Sequence, residues 1–114
     1  MKKLTALSLL TLLGMLLGAS TASAAATKTF TGPGNFSDAT KWNNGTVPAA
    51  GDTLQINDTC TFDNAANNLA YGPLNVGFSS AGTLNWPSSG NNTLNVTTMS
   101  STTAGSAIDM SNGG

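Results

Sequence analysis

The chain has 114 residues with four Lys, five Asp and no Glu, Arg or His, for a formal net charge of −1. Ser, Thr and Asn number 12, 17 and 13, so its polarity comes from hydroxyls and amides rather than from ions. This composition excludes a multidomain enzyme and offers no basic surface to a phosphate backbone, whose binding depends on Lys and Arg displacing counterions; no nucleic-acid partner is expected.

Met1-Lys2-Lys3, an apolar stretch from Leu4 to Leu17 and the small residues Ala22-Ser23-Ala24 are the three parts of a secretory signal peptide, predicted over 1–24. The apolar run of 14 residues is shorter than the roughly 20 that span a bilayer, so a membrane anchor is not expected. Cleavage after Ala24, with Ala25 and Ala26 as alternatives, implies export through the Sec pathway. The product would be secreted or held on the bacterial outer surface, with no membrane insertion of its mature part. Past the leader, Lys28 and Lys41 face Asp38, Asp52, Asp58, Asp63 and Asp109. Cys60 is the single cysteine, so no intrachain disulfide forms, and it lies too far from the cleavage site to carry a lipid.

Residues 25–52 concentrate aromatic side chains, Phe30, Phe36 and Trp42, among the turn signals Gly32-Pro33-Gly34, Asn43-Asn44-Gly45 and Val47-Pro48. Large apolar rings followed by turns fit a segment that covers the open end of a stack, so 25–52 is predicted as an N-terminal cap built on those three aromatics. The alternative makes Trp42 a sugar-stacking platform with Asn43 and Asn44 as donors.

From residue 53 the sequence falls into register every twenty residues: Thr53-Leu54-Gln55-Ile56, Pro73-Leu74-Asn75-Val76 and Thr93-Leu94-Asn95-Val96. Apolar and polar residues alternate within each block, the pattern of a strand with one buried face. A second strand-like patch follows in each, at Cys60-Thr61-Phe62, Thr83-Leu84-Asn85-Trp86 and Ala107-Ile108-Asp109-Met110. Short strands and turns at a fixed period indicate an all-β parallel β-solenoid, or β-helix, of three coils at 53–72, 73–92 and 93–112. One such coil cannot bury enough apolar surface to fold alone, whereas stacked coils shield one another. Leu54, Leu74 and Leu94 would form one inward column, Ile56, Val76 and Val96 another, and the amides at 55, 75 and 95 an outward ladder. The same alternation also fits a small antiparallel β-sandwich, although tight hairpin signals are missing.

Thr29-Phe30-Thr31-Gly32, Asn35-Phe36-Ser37-Asp38-Ala39, Lys41-Trp42-Asn43-Asn44-Gly45, Val47-Pro48 and Ala50-Gly51-Asp52-Thr53-Leu54 together resemble the opening of secreted bacterial proteins with autotransporter-associated β-strand repeats. Those belong with the right-handed parallel β-helix proteins of the pectin-lyase-like kind. The similarity spans residues 29–54 of the chain. It implies a large surface-exposed or secreted β-solenoid used for adhesion or display, and it assigns no binding residues.

With no His there is no Ser-His-Asp triad, and with one Cys there is no zinc set. Gly32-Pro33-Gly34 lacks the further residues of a phosphate loop, and no motif sets two aspartates at the separation needed to cut a glycosidic bond. No enzyme activity, cofactor or metal is expected. The expected function is that of a non-catalytic structural or adhesive module, the N-terminal part of a larger autotransporter-like surface protein, that meets glycans or a host or neighbouring cell surface. Its third coil would be left open to pair with further coils or another chain. The alternative is the start of a β-helical carbohydrate-binding or carbohydrate-active protein with Trp42 or Trp86 touching glycan.

Overall fold

Alternating side chains and frequent turn residues give this chain short strands. In the computed structural model, which describes residues 24–63, 69–87 and 92–111, ten are formed. They are β1 (Thr27–Phe30), β2 (Gly34–Asn35), β3 (Thr53–Ile56), β4 (Thr59–Thr61), β5 (Ala70–Tyr71), β6 (Leu74–Val76), β7 (Thr83–Asn85), β8 (Asn95–Val96), β9 (Met99–Ser101) and β10 (Ala107–Asp109). A 3-10 turn at Ala39–Lys41 is capped by Asp38, whose carboxylate accepts from Thr40 N–H at 3.0 Å and Thr40 Oγ1 at 2.7 Å. The Thr40 hydroxyl, with the Thr40 amide, holds the Asp38 carboxyl below the usual carboxylate range. Among the described residues there is no α-helix. The expected leader, apart from Ala24, lies outside the described residues.

The fold is all-β with parallel sheets. Sheet I has the order β1-β3-β6-β9, sheet II the order β2-β4-β7-β10, and sheet III pairs β5 with β8. Every pairing between these strands is parallel. Thr27 stands beside Thr53, Leu54 beside Leu74, and Leu74 beside Met99 in sheet I. Gly34 stands beside Cys60, Cys60 beside Leu84, and Leu84 beside Ile108 in sheet II.

Inward residues therefore stack on their own equivalents. Phe30 meets Ile56, Ile56 meets Val76, and Leu54 meets Leu74, each at most 1% exposed. Just past sheet II the backbone ladder continues, with Phe36 N–H donating to Thr61 O and Phe62 N–H to Asn85 O, both at 2.8 Å. This stacks Phe36, Phe62 and Trp86, with ring centroids 5.1 and 5.3 Å apart. Such pairs add about 0.5–1.5 kcal/mol each beyond their buried area.

Two expectations are corrected. The segment 25–52 is not a separate cap, because β1 and β2 within it are the first strands of sheets I and II, and Phe30 and Phe36 belong to the core columns. Only the stretch around Trp42 acts as a cover: Trp42 bridges Phe30 in antiparallel fashion, and Thr31 N–H to Lys41 O and Asn43 N–H to Thr29 O occupy the free side of β1. The twenty-residue register also holds for one step only. Leu54 and Ile56 lie beside Leu74 and Val76, but Met99 takes the place expected for Leu94, and Ser101 that expected for Val96. Asn95 and Val96 instead pair with Ala70 and Tyr71 in sheet III, and Leu94 and Val96 are partly buried against the core from there.

Four of the five residues of this slip come from a change in connector length. Residues 57–58 join β3 to β4, whereas 77–82 join β6 to β7 and delay all later strands. The longer connector is pinned by Asn57, whose Oδ1 accepts from Phe78 N–H at 2.9 Å and Ser79 N–H at 3.0 Å, while Ser80 Oγ donates to Asn57 O at 2.6 Å. It closes at Gly82, where a Cβ would overlap the Ile56 carbonyl. Gly82→Ala is therefore expected to lower stability by more than about 2 kcal/mol in urea unfolding. A change within about 0.5 kcal/mol, the range of an ordinary surface substitution, would show that the connector is not seated there.

Candidate functional site

Polar residues collect in three places: the entrance of the chain, the outward faces of the sheets and the aromatic column. At the entrance, Lys28 is the inward residue of β1 beside Leu54, yet it is a lysine, and only 6% of it is exposed. Its Nζ donates to Thr46 Oγ1 at 2.5 Å and to Thr46 O at 3.4 Å. Asp52, also buried, accepts from Ala26 N–H at 2.8 Å on Oδ1 and from Ala49 N–H at 2.9 Å on Oδ2. Lys28, Thr46 and Asp52 line one cavity of about 320 Å³. Sequence reasoning missed Lys28 and Asp52 as structural residues. Aligning Thr27-Lys28-Thr29-Phe30 with Thr53-Leu54-Gln55-Ile56 would have found Lys28. The Asp52 carboxylate is engaged by backbone amides on both oxygens, so this pair fixes where the chain enters β1.

Outward residues form polar ladders. Thr29, Gln55, Asn75 and Ser100 are successive neighbours in sheet I, with Thr29 Oγ1 donating to Gln55 Oε1 at 2.9 Å and Ser100 Oγ donating to Asn75 Oδ1. The expected ladder thus includes Gln55 and Asn75 but continues through Ser100, while Asn95 lies in sheet III. Sheet II presents Asn35, Thr61, Asn85 and Asp109 in one column and Thr59 beside Thr83 in the next.

Trp42 and Trp86, the expected glycan contacts, are buried at 2% and 7% exposure. Each indole N–H donates to a main-chain carbonyl, Trp42 to Phe36 O at 2.8 Å and Trp86 to Asn92 O at 3.1 Å. Trp42 is packed edge-on by Phe30 and Phe36, and Trp86 lies against Phe62, so neither ring offers a stacking platform. The signal that placed them near sugar, an indole beside amides, equally describes a core tryptophan with a satisfied N–H.

Among the described residues no group of three His, Cys, Asp or Glu side chains converges as metal ligands. Burial, with the charge of Asp63 adding to it, pushes the Cys60 thiol far above its ordinary range and keeps it protonated, which makes it a packing residue rather than a nucleophile. Asp63 accepts from Ser37 N–H at 3.1 Å and from Ser37 Oγ and so ties two successive passages of the chain together, whereas Asp58 accepts from Thr59 N–H at 2.7 Å and shapes a local turn. No family model, curated protein or solved structure matches the chain.

Tyr71, the single tyrosine, is buried, and burial followed by the nearby Asp52 charge pushes its phenol up to about 12. A folded-state value raised above the ordinary 10.0 means that Tyr71 contributes fully below that pH, and that the contribution is lost as pH rises towards about 12. Phenolate absorbance of the folded chain is expected to rise near the upper value, with stability falling across the interval. A midpoint at the ordinary value would mean that the ring is not enclosed.

Proposed function

We propose that this chain is an exported, non-catalytic β-solenoid that displays a regular, largely uncharged polar surface for attachment to glycans or to another cell surface. The reading rests on one observation above the others: both four-stranded sheets are parallel, and each successive strand is the one reached after a further passage of the chain. A chain that winds once per passage produces that order in both sheets together. Winding also accounts for the three sheets sharing one aromatic and aliphatic core. Neighbouring strands lie about 4.8 Å apart, so outward hydroxyls and amides recur at that interval along each column. Thr, Asn, Gln and Ser both donate and accept, which suits a polyhydroxylated surface without demanding charge. Export is supported by the three-part leader, and the likeness of residues 29–54 to autotransporter-associated β-strand proteins agrees with surface display.

Expression of the full chain in a Sec-competent bacterium is expected to yield a product lacking residues 1–24 outside the cytoplasmic membrane. Immobilised product is expected to be retained on glycan-coated or cell surfaces. Thr61→Lys combined with Asn85→Lys, both on the outward face of sheet II, should weaken that retention several-fold while leaving the circular dichroism spectrum unchanged. A product that keeps its leader in the cytoplasm would end the export reading. Retention that ignores the double substitution would end the assignment to this face.

A further inference from the structure

Of the four Phe, two Trp and one Tyr of the chain, all but Phe78 are buried, and Phe78 is 51% exposed. It stands in the connector 77–82, at the corner where the chain leaves sheet I for sheet II. This exposure is not an end effect, because the chain bonds to the connector from both sides. From the passage before it, Asn57 Oδ1 accepts from the Phe78 and Ser79 amides, and Ile56 O accepts from Gly77 N–H at 2.6 Å. From the passage after it, Thr102 Oγ1 donates to Gly77 O at 2.7 Å and reaches Phe78 O at 3.3 Å. Both main-chain groups of Phe78 are therefore held, and the backbone that carries the ring is fixed.

A ring left half in water forgoes part of the burial that drives folding, while every other aromatic residue of the chain is in the core. The rest of the connector is Gly77, Ser79, Ser80, Ala81 and Gly82, so no second bulky side chain within it extends the ring into an apolar patch. A protein partner or a membrane calls for a contiguous apolar area. One flat ring, fixed in place and bordered by hydroxyls, suits instead a ligand with a small apolar face and a polar rim.

We propose that Phe78 is the stacking platform for one ring of a neutral hexopyranose glycan, whose axial C–H groups lie on the phenyl face while its hydroxyls meet Ser79 and the outward Asn75. The assignment rests on the glycan reading above and supplies the aromatic contact that Trp42 and Trp86, being buried, do not provide. Charge selects a neutral sugar. Among the connectors 57–58, 77–82 and 102–106 at this corner, Asp58 is the one ionic residue, and its carboxylate repels acidic sugars. Fixing the ring before the ligand arrives lowers the ordering cost of binding.

Cellohexaose is the probe, titrated against the full chain and against Phe78→Ala, Phe78→Leu and Phe78→Trp, with hexagalacturonate as the acidic comparison. Saturable binding of cellohexaose is expected, with its ring C–H proton resonances moved upfield by the aromatic ring current, and several-fold weaker binding of hexagalacturonate. Phe78→Ala is expected to bind at least about fivefold less tightly, the change that goes with half a phenyl group left wet. Its unfolding midpoint should be unchanged, since the ring lies outside the core. Phe78→Leu, apolar but without a flat face, should be as weak as Phe78→Ala, and Phe78→Trp should bind at least as tightly as the unaltered chain. The proposal is overturned if Phe78→Ala or Phe78→Leu binds as well as the unaltered chain, if the bound sugar shows no upfield shift, or if hexagalacturonate binds more tightly. Retention on glycan-coated surfaces that survives Phe78→Ala but is lost in the Thr61→Lys and Asn85→Lys double variant overturns it while leaving the glycan reading standing. Failure of cellohexaose to bind at millimolar concentration overturns it alone if the product is still retained on glycan-coated surfaces, and together with the glycan reading if it is not.

Discussion

Contact between equivalent side chains on successive parallel strands holds this chain together. The column through Phe36, Phe62 and Trp86, and that through Phe30, Ile56 and Val76, are continuous because the backbone ladder fixes the strands in register and so sets each inward residue on its own equivalents. Burial follows position within the column. Leu54 and Leu74, in the middle, are closed off, while Lys28 before them keeps its ammonium on Thr46 and Met99 after them is largely exposed. The core is thus defined by neighbours on two sides rather than by distance from a molecular centre, and no single strand would be stable by itself.

That constraint acts on the strands and leaves the connectors free to vary, within a limit set by polar groups. Two residues suffice between β3 and β4, whereas six are needed between β6 and β7. The longer path survives because Asn57 receives its amides, Thr102 Oγ1 donates to Gly77 O at 2.7 Å, and glycine stands at the points of closest approach. Gly77 adopts a φ of 78°, in the left-handed region that a side chain would disfavour. Insertions are accommodated where such partners exist, and each one shifts the numerical period of the sequence without disturbing the pairing of strands.

The legibility of the sequence follows from the same division. Alternation marked β3, β6 and β7, and the match of Thr53-Leu54-Gln55-Ile56 with Pro73-Leu74-Asn75-Val76 found a true pairing, because inward residues are dictated by the column. The third match, at Thr93-Leu94-Asn95-Val96, was misleading. The connector at 77–82 had already displaced the register, and a Leu-Asn-Val run carries no mark of which sheet it joins. Phe30, Phe36 and Trp42 read as buried aromatics, but their segment reads as a cover. Its strand β1 holds Lys28 where an aliphatic residue was to be expected, and β2 has two residues, too few to show alternation. At Trp86 an indole beside Asn and Ser reads alike whether it faces sugar or a neighbouring ring, and only the position of Phe62 decides.

The outward positions are harder to interpret for a physical reason. In a parallel ladder the spacing of strands is set by main-chain hydrogen bonds, so Thr29, Gln55, Asn75 and Ser100 can exchange for other polar residues with little effect on the core beneath. In alternate residues of the same strands, the inward set is then constrained by packing and the outward set is free of that constraint. An inward set can be inferred from periodicity alone because its partner lies within the chain. The outward set has no such partner within the column, so periodicity alone says nothing of what it meets.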